Sequence, residues 1–282
     1  MGQPATDRIE IVKPQSLRHA IDWLTSAAED GSPLTLLAGG TDIYVLLNAG
    51  VPLQGRFLDL WGLTELRPAP VVSGGSLVFG ALTTYTDCIR SALVQKHLPI
   101  LVQASREVGG VQIQNRGTLG GNIGNGSPAG DSLPVLAAAD AQVVLASVNG
   151  ERTVPLTEFY SSYRKTVRRP YELIVRVEVP LAPLQKQKQI FRKVGTRAAQ
   201  AISKVVMAAV GPQIAFGSVG PTVVRARKVE AYLREGGRSL AAAQRLLKQE
   251  IHPIDDVRST GVYRLKVAQN LLAELGTLDA HK

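Results

Sequence analysis

The sequence predicts an α+β fold in two unequal parts. Three observations carry this reading. The first forty residues alternate strand, helix and strand, an order that favours a parallel pair. In the last hundred residues the strands come first and the helices last, the order of an antiparallel sheet covered on one face. Between these regions Pro180 and Pro183 precede a polar joint, Gln185-Lys186-Gln187-Lys188-Gln189.

Arg8 to Val12 reads as a short strand. Pro14 ends it, and Ser16 is placed to cap a helix. Leu17, Ala20, Ile21, Leu24, Ala27 and Ala28 then recur at helical spacing. Gly31 to Pro33 break that helix, and Leu34 to Ala38 form the next strand. A turn at Gly39-Gly40-Thr41-Asp42 leads into a short helix over Ile43 to Leu47. Strands are expected at Phe57 to Leu60, Val71 to Ser73 and Leu77 to Ala81. Helices are expected over Thr84 to Val94 and Leu98 to Val108. A glycine-rich loop from Gly117 to Gly130 precedes a helix over Asp131 to Ala139. Strands follow at Gln142 to Ser147, Arg152 to Pro155 and Leu173 to Val179. Beyond the joint, strands are expected at Ile190 to Val194, Val205 to Ala209, Gln213 to Gly217 and Thr222 to Ala226. Helices over Lys228 to Arg234, Ser239 to Gln249 and Thr260 to Leu275 close the chain.

Apolar residues make up 45% of the 282 and charged residues 20%, which excludes global disorder. The single cysteine, Cys88, excludes a disulfide framework, a CxxC zinc site and a cysteine-ligated iron–sulfur cluster within this chain. No apolar run is long enough for a membrane span, and no signal peptide is visible, so a cytoplasmic location is expected. Met1 to Thr6 formally fit a myristoylation pattern, one short enough to arise by chance. His19, His97, His252 and His281 fit no metal spacing. Trp23 and Trp61 read as core or interface residues, and Cys88 as a small buried hydrophobe.

The net charge is +9. Arg164 to Lys204 hold eleven basic residues against Glu172 and Glu178, so this stretch accounts for the whole imbalance. Such a stretch suits a polyanion, a phosphate-bearing cofactor or an acidic partner. A nucleic-acid binder should interleave aromatic residues with the basic ones. Only Tyr171 and Phe191 do so.

Two glycine-rich segments carry the chemistry. In Leu36-Leu37-Ala38-Gly39-Gly40-Thr41-Asp42-Ile43, adjacent glycines let a ligand approach the main chain, and backbone N–H groups ahead of a helix suit a diphosphate. Asp42 either caps the helix or accepts from a sugar hydroxyl, and a plain Gly-Gly turn is the alternative. The second segment has six glycines in the fifteen residues from Gly117 to Asp131. Asp131 can accept from vicinal ribose hydroxyls, as acidic residues do in dinucleotide folds. Neither segment fits a Walker loop or a GxGxxG opening a long helix. Together they suggest one ligand gripped from two sides.

Ala38 to Asp42, Gly117 to Asn122, Ser127 to Asp131 and Phe191 to Arg197 together resemble the FAD-binding subunit of the molybdenum hydroxylases, the xanthine dehydrogenase and carbon monoxide dehydrogenase family. The resemblance runs over nearly the whole chain. It implies a two-part FAD-binding domain of vanillyl-alcohol-oxidase type over 1–180, with subdomains 1–60 and 61–180. A smaller α+β flavoprotein domain over 181–282 would follow. It also implies non-covalent FAD, its diphosphate held by Leu36 to Ile43 and by Thr118, Leu119, Gly120, Gly121 and Asn122. Asp131 would take a sugar hydroxyl, with further contacts from Val108, Ile174 and Lys193. Gly124 and Gly126 stand where many relatives carry alanine.

The partners implied are a large molybdenum-cofactor subunit and a small subunit with two-iron clusters, assembled as a dimer of heterotrimers. Electrons would pass through the flavin to NAD, oxygen or a quinone. No catalytic acid–base pair or metal site is expected in this chain. The alternatives are a stand-alone FAD oxidoreductase of the same fold and a basic nucleic-acid-binding protein.

Overall fold

A computed structural model describes residues 9–197 and 200–278. Arg8, the Met1 to Thr6 pattern and His281 lie outside the described residues.

The chain begins with β1 (Ile9–Val12), α1 (Leu17–Glu29), β2 (Leu34–Leu37), α2 (Thr41–Asn48) and β3 (Gly55–Asp59). Ser16 caps α1 by accepting from the His19 N–H, and Ala20, Ile21, Leu24 and Ala27 bury its apolar face. The three strands are parallel, as strand–helix–strand order favours. However, β1 and β2 are not neighbours, because β3 lies between them and pairs with both. Its Phe57 and Leu58 make it the buried strand of the three, so it takes the centre.

The next unit holds β4 (Val71–Ser73), β5 (Ser76–Gly80), α3 (Tyr85–Arg90), α4 (Ala92–His97), α5 (Pro99–Glu107), α6 (Val111–Arg116), α7 (Leu119–Asn125) and α8 (Ser132–Ala138). It continues with β6 (Gln142–Ser147), β7 (Gly150–Pro155), the β8 (Tyr160–Ser162) and β9 (Lys165–Thr166) hairpin, and β10 (Leu173–Pro180). An antiparallel sheet runs β4-β5-β10-β6-β7. The helix expected over Thr84 to Val94 is instead two. Ser91 takes extended backbone, and its hydroxyl caps α4 at the Val94 N–H. The helix α6 and the small hairpin were not foreseen. Nor was α7, which lies inside the segment expected as loop.

The last unit is β11 (Gln189–Val194), β12 (Val205–Val210), β13 (Gln213–Gly217), β14 (Val224–Arg225), α9 (Arg227–Arg234), α10 (Leu240–Lys248) and α11 (Gly261–Leu271). Its sheet is antiparallel in sequence order, as expected. All six residues of β12 are buried because both faces are covered. One face, with Met207 and Ala209, meets the closing helices. The other, with Val206, Ala208 and Val210, joins Phe191 and Ala215 in one core with α5 and α8. That core runs without a break across the polar joint. Arg225 reinforces the junction by donating to the Ala137 carbonyl at 2.7 Å and pairing with Asp140 and Glu230, each at 2.6 Å.

Candidate functional site

The first glycine-rich segment leaves β2 and enters α2. Gly40 is the N-cap at φ +77°, a conformation that glycine adopts without strain, and it offers no capping side chain. The first backbone bond closing the helix runs from the Tyr44 N–H to the Gly40 carbonyl at 2.9 Å. The N–H groups of Thr41, Asp42 and Ile43 have no hydrogen-bond partner among the described residues. They are the open positive end of a helix dipole, the arrangement an anion occupies.

The second segment lies against the first. A Cβ on Gly39 would strike the Arg116 carbonyl, so only glycine allows this approach. The Asn125 amide donates to the Asp42 carboxylate at 2.9 Å, so Asp42 neither caps α2 nor stands free. Burial pushes the Asp42 carboxyl upward, and the Arg164 charge opposes it. Gly121 faces Ala38.

Four of the backbone donors in the second segment are engaged within the protein. The Leu119 N–H bonds the Thr83 carbonyl at 3.0 Å, the Gly120 N–H the Ala81 carbonyl at 2.9 Å, and the Gly121 N–H the Thr118 hydroxyl at 3.0 Å. The Asn122 N–H bonds the Thr118 carbonyl. The segment is a capped helix, and its glycines permit close packing: a Cβ on Gly120 would lie 2.6 Å from the Ala81 carbonyl oxygen. In this structure the N–H groups of Leu119 to Asn122 thus serve the fold, whereas those at the start of α2 stand open. Tertiary packing overrides the weak helix propensity of glycine here. Leu119 belongs to the core.

The remaining residues form a second cluster. Asp131, just ahead of α8, is buried, and both its carboxylate oxygens are taken. Lys193 Nζ donates to one at 2.7 Å, and the Ser203 hydroxyl donates to the other. The same ammonium bonds the Glu107 carbonyl at 2.9 Å, beside Val108. Burial pushes the Asp131 carboxyl upward, opposed by Lys193 and Ser203. In this structure Asp131 is therefore bound by protein groups where a sugar hydroxyl was expected. Asn122 links the clusters by accepting from the Ser132 hydroxyl at 2.8 Å. Ile174 lies beneath α7, its Cδ1 3.8 Å from where a Gly124 Cβ would stand. On β11, Phe191 enters the core shared with α5 and α8, while Arg192 points the other way and pairs with Glu274 at 3.0 Å.

Beside the open end of α2 lies a cleft of about 400 Å³, lined by Gly39, Thr41, Tyr44, Val45, Asn48, Gln112, Ile113 and Arg116. Sequence reading missed Tyr44, Gln112 and Arg116. Arg116 was the accessible one, since it directly precedes Gly117. Trp61, expected in the core or at an interface, is half-buried and lies under two guanidinium groups, Arg116 at 3.6 Å and Arg67 at 4.8 Å from the ring centroid.

The basic stretch is not uniformly exposed. Lys193 is buried, Arg176 pairs with Glu151 and Glu178, and Arg192 pairs with Glu274. Arg168 donates to the Glu172 carbonyl at 2.8 Å, and its guanidinium is held below its ordinary range by burial. Among the described residues no group of three or more His, Cys, Asp or Glu is arranged for a metal, and no helix is long and apolar enough to cross a membrane.

Comparison with known proteins places this geometry. A family model described as the FAD binding domain in molybdopterin dehydrogenase matches residues 7–182, and one described as the CO dehydrogenase flavoprotein C-terminal domain matches 191–276. The carbon monoxide dehydrogenase medium chain of Hydrogenophaga pseudoflava is 30% identical over 284 residues, covering 94% of each chain. The xanthine dehydrogenase FAD-binding subunit of Escherichia coli O157:H7 is 30% identical over 254 residues, covering 86% of this chain and 87% of that one. A solved carbon monoxide dehydrogenase from Hydrogenophaga pseudoflava superposes with a TM-score of 0.87 at 28% identity over 98% of each chain. With an open helix end and a glycine-rich partner segment inside the matched regions, this chain belongs to the family of FAD-binding subunits of the molybdenum hydroxylases.

Proposed function

We propose that this chain binds FAD non-covalently, in the cytoplasm, as the flavin subunit of a complex with a large molybdenum-cofactor subunit and a small two-iron-cluster subunit. Two such trimers would pair. Bound here, FAD supplies a carrier that takes electrons from the partner's clusters and gives them to NAD, oxygen or a quinone. The residues present fit the group. The N–H groups of Thr41, Asp42 and Ile43, unpartnered among the described residues, match a diphosphate, and Gly39 lets the Arg116 carbonyl close against the same turn. Among the described residues no His or Cys lines the cleft, which favours non-covalent binding. Thr118 to Asn122 would serve as a rigid wall, placed by their own hydrogen bonds. Lys193, Asp131 and Val108 would fix the far end, and Ile174 would support α7 from below.

The open α2 terminus facing a second glycine-rich segment carries this reading. To test it, the tagged chain would be isolated from its own cells and heat-denatured. One FAD per chain should appear in the supernatant, and a large and a small subunit should co-purify. A colourless preparation, or flavin that stays with the precipitate, contradicts the assignment. Flavin without partner subunits favours the stand-alone oxidoreductase.

A further inference from the structure

We propose that Arg116, oriented by Trp61, supplies the fixed countercharge for the cofactor's diphosphate. This rests on α2 being the cofactor's anchor. Of the eight residues lining the cleft, Arg116 alone is charged. It makes no ion pair among the described residues, whereas its neighbour Arg67 lies 3.7 Å from the Asp87 carboxylate. A cation without a carboxylate, beside three unpartnered N–H groups, is the electrostatic complement of a dianion.

The guanidinium is also held in place. Its centre stands 3.6 Å from the Trp61 ring centroid, and its Nε approaches the Gly39 carbonyl at 3.5 Å. Trp61 is fixed by its backbone N–H, which donates to the Asp59 carboxylate at 3.0 Å directly after β3. A guanidinium packed on an aromatic face keeps donors at its edge, where they can meet phosphate oxygens in pairs. Trp61 is therefore a positioning residue. It reduces the ordering that Arg116 must undergo when the ligand arrives.

The test uses the full-length chain stripped of flavin and titrated with FAD and, separately, with phosphate-free riboflavin. Binding is read by flavin fluorescence at two salt concentrations. Arg116→Gln should weaken FAD by roughly 10- to 100-fold, as loss of a hydrogen bond to a charged group does. It should flatten the salt dependence, leave riboflavin binding unchanged and leave the unfolding of the stripped chain unchanged. Trp61→Phe should bind FAD like the parent, and Trp61→Leu should weaken it while riboflavin stays unaffected. If the parent binds FAD and Arg116→Gln binds it equally well, the countercharge role is overturned and the FAD reading stands. Equal weakening of FAD and riboflavin, with earlier unfolding, overturns it in favour of a structural role. A parent that does not bind FAD defeats the underlying reading instead.

Discussion

The Lys193 ammonium stands 2.7 Å from the Asp131 carboxylate, one residue on the last sheet and the other at the start of α8. Both side chains are less than a tenth exposed. Removing one partner of such a pair strands a buried charge, at a cost of about 3–5 kcal/mol. Lys193→Ala should therefore lower the denaturant midpoint strongly and weaken flavin retention. Arg192→Ala breaks only an exposed pair and should change stability by about 0–1 kcal/mol. Equal losses in the two variants would contradict the face assignment on β11.

Gly40 and Gly120 should fail differently. Gly40 sits at the open N-terminal end of α2 in the left-handed region, while Gly120 packs on the Ala81 backbone. Gly40→Val should yield folded complex depleted of flavin, its iron–sulfur centres still reduced by substrate. Gly120→Val should lower the yield of soluble chain and its melting temperature, because α7 must leave Ala81. Circular dichroism melts and flavin content separate the two.

Gly124 and Gly126 offer a finer contrast. A Gly124 Cβ would meet nothing closer than Ile174 at 3.8 Å, so Gly124→Ala should raise stability by up to about 1 kcal/mol through helix propensity. Gly126 caps the same helix at φ +60°, and a Cβ there would stand 3.1 Å from the Tyr160 ring. Gly126→Ala should cost about 1–2 kcal/mol. Urea titrations of the two variants should move in opposite directions.

Asp256 sets an acid limb. Hydrogen bonds from Arg258 hold its carboxyl well below the usual carboxylate range, burial opposes them, and Arg264 adds a further bond at 2.6 Å. A depressed folded value means the stabilisation is present above the unfolded pKa near 4 and is lost as pH falls toward the folded one. Asp256→Asn should thus lower stability at neutral pH and flatten its fall below about pH 4. Unfolding midpoints measured from pH 7 downward check this. An unchanged acid limb would contradict it.

The order of strands and helices was legible because hydrophobic periodicity and caps such as Ser16 are local signals. The place of β3 was not, since nothing local says that the third strand enters between the first two. The segment from Gly117 to Gly130 misled for a physical reason. Its glycines read as loop, yet they serve a helix pressed onto Ala81, and Thr118 supplies the cap. The first glycine-rich segment was legible as the entry to a short helix, which begins at Thr41 rather than Ile43. Arg116 and Trp61 escaped because their relationship spans 55 residues of chain and is made by folding alone. Asp131 was singled out from its glycine-rich segment and Lys193 through family resemblance, and only the structure shows them bound to each other.

The core that crosses the polar joint limits how freely this chain can be recombined. Phe191, Val206, Ala208, Val210 and Ala215 fill space made by α5 and α8. The last hundred residues are therefore not an interchangeable module. A chimera that takes them from a relative 30% identical would have to import matching volumes on both sides of the seam, since cores tolerate substitution when total volume is kept. Drift on one side of that seam should accordingly be answered on the other, binding the two halves of the subunit into a single evolutionary unit.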